Sequence, residues 1–500
     1  MNAFPALLVL LPLFAAALSI GIGWSRNAQR LVSLATLSGL VGLSVALVVA
    51  VDRDGPIAVQ AGGWVAPVGI TLVADRLSAG LLLVSAVTLL AVLVYSIGAG
   101  GVEREFRSFH PLYLILGGGV SLSFLTGDLF NLFVAFEVTL MASFVLITLG
   151  GAAEQVRKGM TYVVLNLVAS TLFLFLLAFV YGSTGTVNLA DLGSKVAELP
   201  DGLRAALAVM LVVVFGMKAA VFPLFNWLPD SYPTAPIAIT AVFAGLLTKV
   251  GVYALIRTTT VVLPSGSRPG TLLLWVAGLT MVIGVFGAIV QTDIKRLLSF
   301  HIVSQIGYMV MGLGLFTVAG VAGAMLFVIH QIVVKAALFL VGGLVERRRG
   351  TGDLGYLSGL ATSEPLIAVL FLIPALSLAG IPPSSGFVAK LALVQSGLAA
   401  GAGAVVAVSL AVSLLTLFSM TKIWANGFWG PKIEAATPTG AAVAPEADPR
   451  GYALMVAGTA ILVVGSLVVA VAAGPIHAYC QRAAQDLIES SVYVDAVLGR

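Results

Sequence analysis

Apolar residues in this chain run in long unbroken stretches instead of alternating or recurring on one helical face. Stretches of membrane-crossing length fall at 3–23, 31–51, 72–99, 111–127, 129–150, 160–182, 205–228, 236–260, 271–291, 297–317, 320–344, 366–397, 402–426 and 452–474. About 20 apolar residues cross a bilayer as a helix, so the pattern predicts an all-α polytopic membrane protein of about fourteen spans. Continuous runs exclude a strand barrel, whose strands alternate. The closest-set pair of spans, within 111–150, is divided only by Thr126, Gly127 and Asp128. Two stretches are interrupted: AAVFPLFNWLPDSYPTAP (219–236) and SLAGIPPSSGFVAK (377–390). Proline removes a backbone hydrogen bond and breaks a helix. In lipid the freed groups must be satisfied by protein or water, so such breaks mark a cavity or a pathway.

Composition agrees. Of 500 residues, 59% are hydrophobic and 10% charged, and the mean hydropathy is +1.08; soluble domains carry about 25% charged residues. A net charge of +4 is too small for this length to suggest nucleic-acid binding. The single cysteine, Cys480, excludes an intrachain disulfide or a cysteine-based metal cluster. No nucleotide, redox or metal motif is present, so no cofactor and no metal is expected. The opening MNAFPALLVLLPLFAAALSIGIGW lacks a basic leader region and reads as a first span, a cleaved signal being the alternative.

With fourteen spans, the odd-numbered loops and their edges hold fourteen Lys and Arg residues, Lys432 among them, and the even-numbered ones five, Arg257 among them. The positive-inside rule then puts the odd loops in the cytoplasm and both termini outside, in a cell (plasma) membrane. The loop over 427–450 reads as a flexible surface loop, and the tail after Gly474 as an interfacial amphipathic helix or a frayed terminus.

Five ionisable residues lie deep in these spans: Glu137, Lys218, Lys249, Lys335 and Lys390. Each central charge costs about 2.5–3.5 kcal/mol on insertion scales, roughly 15 together, which rivals the stability of a whole domain. They must be paired, hydrated or neutral. Lys335, two-thirds along its span, could also snorkel. His330 reads equally as a relay residue or a bonded core histidine, His301 as interfacial, and Arg76 as an anchor. Lysines make a poor metal site, but buried lysines titrate readily, with a nearby carboxylate controlling when the proton leaves. A Glu137–Lys218 contact, made and broken, is therefore a proton-relay switch; a purely structural ion pair would leave Lys249 and Lys390 unexplained.

Lys218 stands just before one Pro-rich break and Lys390 just after the other, five spans later. Paired interrupted spans in corresponding halves point to an inverted-repeat transporter. Spans 4–8 and 9–13 form the two five-helix repeats, with spans 7 and 12 broken. The expected organisation is an N-terminal three-helix segment (1–110), a first repeat (111–262), a second repeat (263–430), and a loop, last span and short amphipathic tail (431–500).

Six stretches carry a family likeness: LFNLFVAFEVTLMASFVL (129–146), GMKAAVFPLFNWLPDSYPTAP (216–236), LLTKVGVYALIR (246–257), SFHIVSQIGYM (299–309), HQIVVKAALFLVGG (330–343) and GIPPSSGFVAKLAL (380–393). They resemble the antiporter-like family shared by respiratory complex I and the multisubunit Mrp (Mnh) cation/proton antiporters, most of all the D-type Mrp subunits. The resemblance implies a Glu137–Lys218 pair, a central relay lysine at Lys249, a helix-11 segment at His330 and Lys335, and a terminal lysine at Lys390. Relatives often carry histidine where this chain has Gln331. Complex I relatives of similar size usually have glutamate at the position of Lys390.

The leading expectation is a transport subunit and not an enzyme, moving protons from Glu137/Lys218 through Lys249 and His330/Lys335 to Lys390. Sodium efflux would be coupled in a complex with other membrane subunits. The alternatives are a proton-pumping module of a complex I or membrane-bound hydrogenase type redox complex, and a scaffold with vestigial charges.

Overall fold

The computed structural model describes residues 4–431 and 448–499; Lys432 and most of the loop over 427–450 lie outside the described residues. Continuous apolar runs become helices in the expected order. They are α1 (Phe4–Gly21), α2 (Arg26–Asp54), α3 (Arg76–Ala99), α4 (Phe109–Leu125), α5 (Leu129–Thr148), α6 (Ala153–Thr184) and α7 (Asp201–Ala219). There follow α8 (Ile237–Val261), α9 (Gly270–Val290), α10 (Ile294–Gly314), α11 (Val318–Arg349), α12 (Pro365–Ala379), α13 (Ser385–Ala399), α14 (Gly403–Ile423), α15 (Pro449–Val471), α16 (Ala473–Ile488) and α17 (Ser491–Leu498). Among the described residues, 12 helices are long and apolar enough to cross a membrane. α4, α12 and α13 are shorter apolar helices, and α12 and α13 together occupy the stretch expected as one span.

The expected 72–99 span begins as a strand. β1 (Ile57–Gln60) pairs antiparallel with β2 (Thr71–Ala74), and α3 starts only after Asp75, whose side chain accepts from the Ser78 N–H as an N-cap.

An apolar helix face in a membrane protein is covered either by lipid or by neighbouring helices. In α8 and α11 the whole apolar window is buried. α11 packs against α3, α8, α10, α12, α13, α15 and α16, which makes it the axis of the molecule.

Both interrupted stretches break in the same way. α7 ends at Ala219 with Ala220 in the left-handed region (φ 61°), and the Val221 N–H reaches back to Gly216 O. α12 ends at Ala379 with Gly380 left-handed (φ 87°), and the Ile381 N–H reaches back to Leu376 O. This is the usual left-handed helix stop, and alanine adopts it at the first break despite a steric cost of about 1–2 kcal/mol. Two backbone clasps also match. Asp128, the N-cap of α5, bridges Asn188, and Asp293, the N-cap of α10, bridges Asp353.

Two charge assignments change. Arg257, counted above at a loop edge, is 1% exposed inside α8. Arg76 is more than an anchor: it bonds Asp52 at 2.8 Å and Asp486 of α16 at 2.6 Å. The tail is therefore docked, with Cys480, Ala483, Ala484 and Leu487 buried beneath it.

Candidate proton pathway

Lys218 occupies the last turn of α7. Its Nζ donates to Ser170 Oγ of α6 at 3.0 Å and to Asn166 O at 3.4 Å, and lies 5.7 Å from the Phe136 ring centroid. Ser170 Oγ in turn donates to Glu137 Oε1 at 2.5 Å. The expected Glu137–Lys218 pair is thus joined through a serine hydroxyl and is not a direct ion pair. Glu137 is half-buried, while Lys218 is buried. A cavity of about 20 Å³, room for about one water, lies between Phe136, Asn166, Lys218, Leu247 and Val250.

Lys249 follows a π-helical turn at Phe243–Leu247. Such a turn shifts the hydrogen-bond register and frees a carbonyl; Lys249 Nζ donates to Ala244 O within it. The helix carrying Lys249 can approach Lys218 because of Gly251. A Cβ there would lie 2.5 Å from Ala219 N and 2.7 Å from Lys218 C.

Lys390 sits in α13 and turns back across the break to the end of α12. Its Nζ donates to Leu378 O and Ala379 O, both at 3.0 Å, and to Ser413 Oγ at 2.9 Å. The last carbonyls of a helix lack partners and carry partial negative charge, so a cation suits them. At the first break a carbonyl of the last turn of α7, Met217 O, accepts from Trp227 Nε1 at 3.1 Å.

Lys335 is fully buried in α11, which excludes snorkelling to the surface. Its Nζ has no hydrogen-bond partner among the described residues. Lys249 and Lys390 both lie within its electrostatic reach. His330 is buried with Nδ1 2.9 Å from Ser385 Oγ, at the start of α13, and that hydroxyl is 2.9 Å from Ser377 Oγ. Gln331 Nε2 donates to Gln305 Oε1 of α10 at 3.4 Å. His330 Nε2, Gln331 Oε1, Gln305 Nε2 and Thr248 Oγ1 are buried without protein partners among the described residues, and interior polar groups of this kind are ordinarily satisfied by bridging water.

The sequence-derived residues thus form two clusters. Glu137 and Lys218 lie at one end of the series, Lys335, His330 and Lys390 at the other, and Lys249 lies on the helix that touches both α7 and α11. Sequence reasoning missed Ser170 and Gly251. It also placed His301 at the interface, whereas that ring is completely buried with Nε2 2.5 Å from Ser419 Oγ. Outside the series, Arg257 makes a two-pronged contact to Asp75, at 2.6 and 2.7 Å, with the Tyr493 ring of the tail 4.9 Å from its guanidinium.

The profile of the family described as "NADH:quinone oxidoreductase/Mrp antiporter, TM" matches residues 126–416, which contain every one of these series residues. The chain belongs to that family. It is 43% identical over 502 residues to the D-type subunit of the Na(+)/H(+) antiporter of Alkalihalophilus pseudofirmus, covering 100% of both chains. It is 37% identical over 500 residues to the protein of the same name from Bacillus subtilis, again with 100% of both covered. Among solved structures it is similar to a chain of the Mrp complex from Dietzia sp., with TM-score 0.93, 35% identity and 100% of both chains covered. It is also similar to a chain of an archaeal membrane-bound sulfane sulfur reductase, with TM-score 0.88, 27% identity and 99% of both covered. The family likeness read from the six motifs therefore stands.

Proposed function

We propose that this chain is the proton-translocating subunit of a multisubunit monovalent cation (Na⁺)/H⁺ antiporter, a secondary-transporter subunit and not an enzyme. Protons move along Glu137/Lys218, Lys249, His330/Lys335 and Lys390 through two inverted repeats, 111–262 and 263–430. The observation that carries this reading is the succession of four buried lysines, three of them placed at a helix irregularity and the fourth, Lys335, left without a hydrogen-bond partner among the described residues. Lys218 is in the last turn before the first break. Lys249 bonds a carbonyl of the π turn. Lys390 bonds the carbonyls of the second break. A lysine held by neutral carbonyls and hydroxyls, with no carboxylate locked to it, can give up its proton. The full-length likeness to two D-type antiporter subunits supports the sodium coupling and the membrane-subunit partners. The positive-inside bias supports a plasma-membrane orientation with both termini outside.

The likeness to a chain of a sulfane sulfur reductase supports a second reading, a proton-pumping module of a redox complex. Cation-induced collapse of a proton gradient in inverted vesicles carrying the whole complex separates the two. A response to sodium, lost in Lys218→Ala and Lys249→Ala complexes that still assemble, establishes the antiporter. An assembled wild-type complex with no cation response overturns the antiporter, and co-purification with iron–sulfur or flavin subunits then establishes the redox reading.

A further inference from the structure

His301 has no place in the series above, yet its surroundings are not those of a packing residue. It lies on α10 about two turns from Ile294, where that helix begins beside Asp293 and the Lys295–Glu346 ion pair. The ring is completely buried. Nε2 is 2.5 Å from Ser419 Oγ of α14, and Nδ1 has no hydrogen-bond partner among the described residues. An unpartnered buried polar atom costs about 1–3 kcal/mol, so this one calls for a bridging water or a part in chemistry.

Two directions lead away from the ring. Toward the middle of the molecule, the Lys335 ammonium of α11 and the Lys390 ammonium of α13 both lie within its electrostatic reach. Gln305 and Tyr308 follow it at helical spacing on α10. Gln305 accepts from Gln331, and the Tyr308 ring centroid is 5.1 Å from Lys390 Nζ. Toward the end of the molecule, Ser419 stands one turn before Lys422. The Lys422 Nζ is bonded at 2.8 Å to both Ile289 O, in the last turn of α9, and Gln291 O, just beyond it. Lys422 is part-exposed, and Ala425 and Asn426 in the π-helical segment Trp424–Phe428 that follows are exposed.

We propose that His301, with Ser419, carries protons between the Lys335–Lys390 cluster and the end of the protein formed by the α9–α10 turn and the C-terminus of α14. The step is proton transfer alone. One imidazole nitrogen takes a proton from the lysine side as the other releases one to the Ser419 side, and the reverse direction is equally available. Imidazole suits this because each nitrogen is a donor or an acceptor according to tautomer, and its ordinary charge change falls near neutral pH. The inference rests on the relay reading above, and it adds a branch by which the second half reaches one face of the membrane.

The test uses the assembled complex in inverted vesicles, with sodium-induced collapse of the proton gradient measured from pH 6 to 9. The His301→Gln side chain keeps a hydrogen-bond donor for Ser419 and most of the volume but cannot carry a proton. Antiport falls at least tenfold with assembly and thermal stability unchanged. Ser419→Ala keeps the imidazole and removes its outward partner, so its pH profile is displaced from that of wild type. Lys390→Ala is the control for the relay itself. A wild-type rate and pH profile in His301→Gln beside an inactive Lys390→Ala would overturn the branch and leave the relay standing. Full antiport in Lys390→Ala would overturn the relay, and the branch with it. Should His301→Gln fail to assemble, Ser419→Ala decides, and an unchanged pH profile there rejects the proposal.

Discussion

Ser170 stands between Glu137 and Lys218, donating to Glu137 Oε1 at 2.5 Å and accepting from Lys218 Nζ at 3.0 Å. A hydroxyl can pass a proton as well as hold two groups apart, so it couples them without locking them as an ion pair. Ser170→Ala removes hydrogen bonds to charged groups worth about 1.5–3 kcal/mol. Antiport falls by about one order of magnitude while the complex assembles, each tenfold being about 1.4 kcal/mol. Sodium-dependent gradient collapse in vesicles reads the effect; a rate equal to wild type would show that the bridge is only structural.

Gly251 lets α8 approach the end of α7 that bears Lys218. Gly251→Ala puts a methyl group 2.5 Å from Ala219 N, and that obstacle is backbone. Overpacking of this kind costs about 1–3 kcal/mol. The thermal midpoint in detergent drops and antiport declines with it. Gly278→Ala, on a helix where a Cβ meets nothing within 4 Å, leaves both unchanged.

The Asp75–Arg257 pair joins the start of α3 to the end of α8, and Asp75 also caps α3. Asp75→Asn leaves the Arg257 guanidinium buried beside a neutral amide. Removing one partner of a buried pair costs about 3–5 kcal/mol. Replacing both, as Asp75→Asn with Arg257→Met, costs less than the sum of the single changes. A double-mutant cycle on chemical unfolding measures that coupling.

Glu103, in the helical turn Val102–Glu105 between α3 and α4, is bonded by Arg30 at 2.7 and 2.8 Å and lies 2.9 Å from His110 Nε2. Burial works against its charge, but the hydrogen bonds from Arg30 and His110 outweigh it and hold the carboxyl at about 2, below the usual 4.5. A depressed carboxyl stabilises the fold above its unfolded pKa, and that contribution fades as pH falls through about 2. Wild type therefore exceeds Glu103→Gln by roughly 3 kcal/mol at neutral pH. The difference shrinks below about pH 4.5 and vanishes near pH 2. Unfolding midpoints of the two proteins across that range test the sign.

The order of the spans and the two breaks were determined by the sequence itself. Hydrocarbon requires long apolar helices, and Pro223, Pro382 and Pro383 cannot continue one. Glu137, Lys218, Lys249, Lys335 and Lys390 were equally legible, because a charge in mid-span has a cost that demands an explanation. What only the tertiary structure decided concerns residues whose presence in a helix costs nothing. Ser170 looks like any serine that could bond its own helix until Glu137 and Lys218 close on it from two others. Gly251 looks like a weak helix former until α7 lies against it. Arg257 reads as a loop-edge charge until Asp75, 182 residues earlier, meets it. His301 reads as interfacial until α14 covers it with Ser419. Hydropathy and helix-breaking are properties of a residue and its near neighbours, so the chain displays them directly. Pairing, bridging and close approach are properties of two or three helices at once, and only their packing selects which polar groups share the interior.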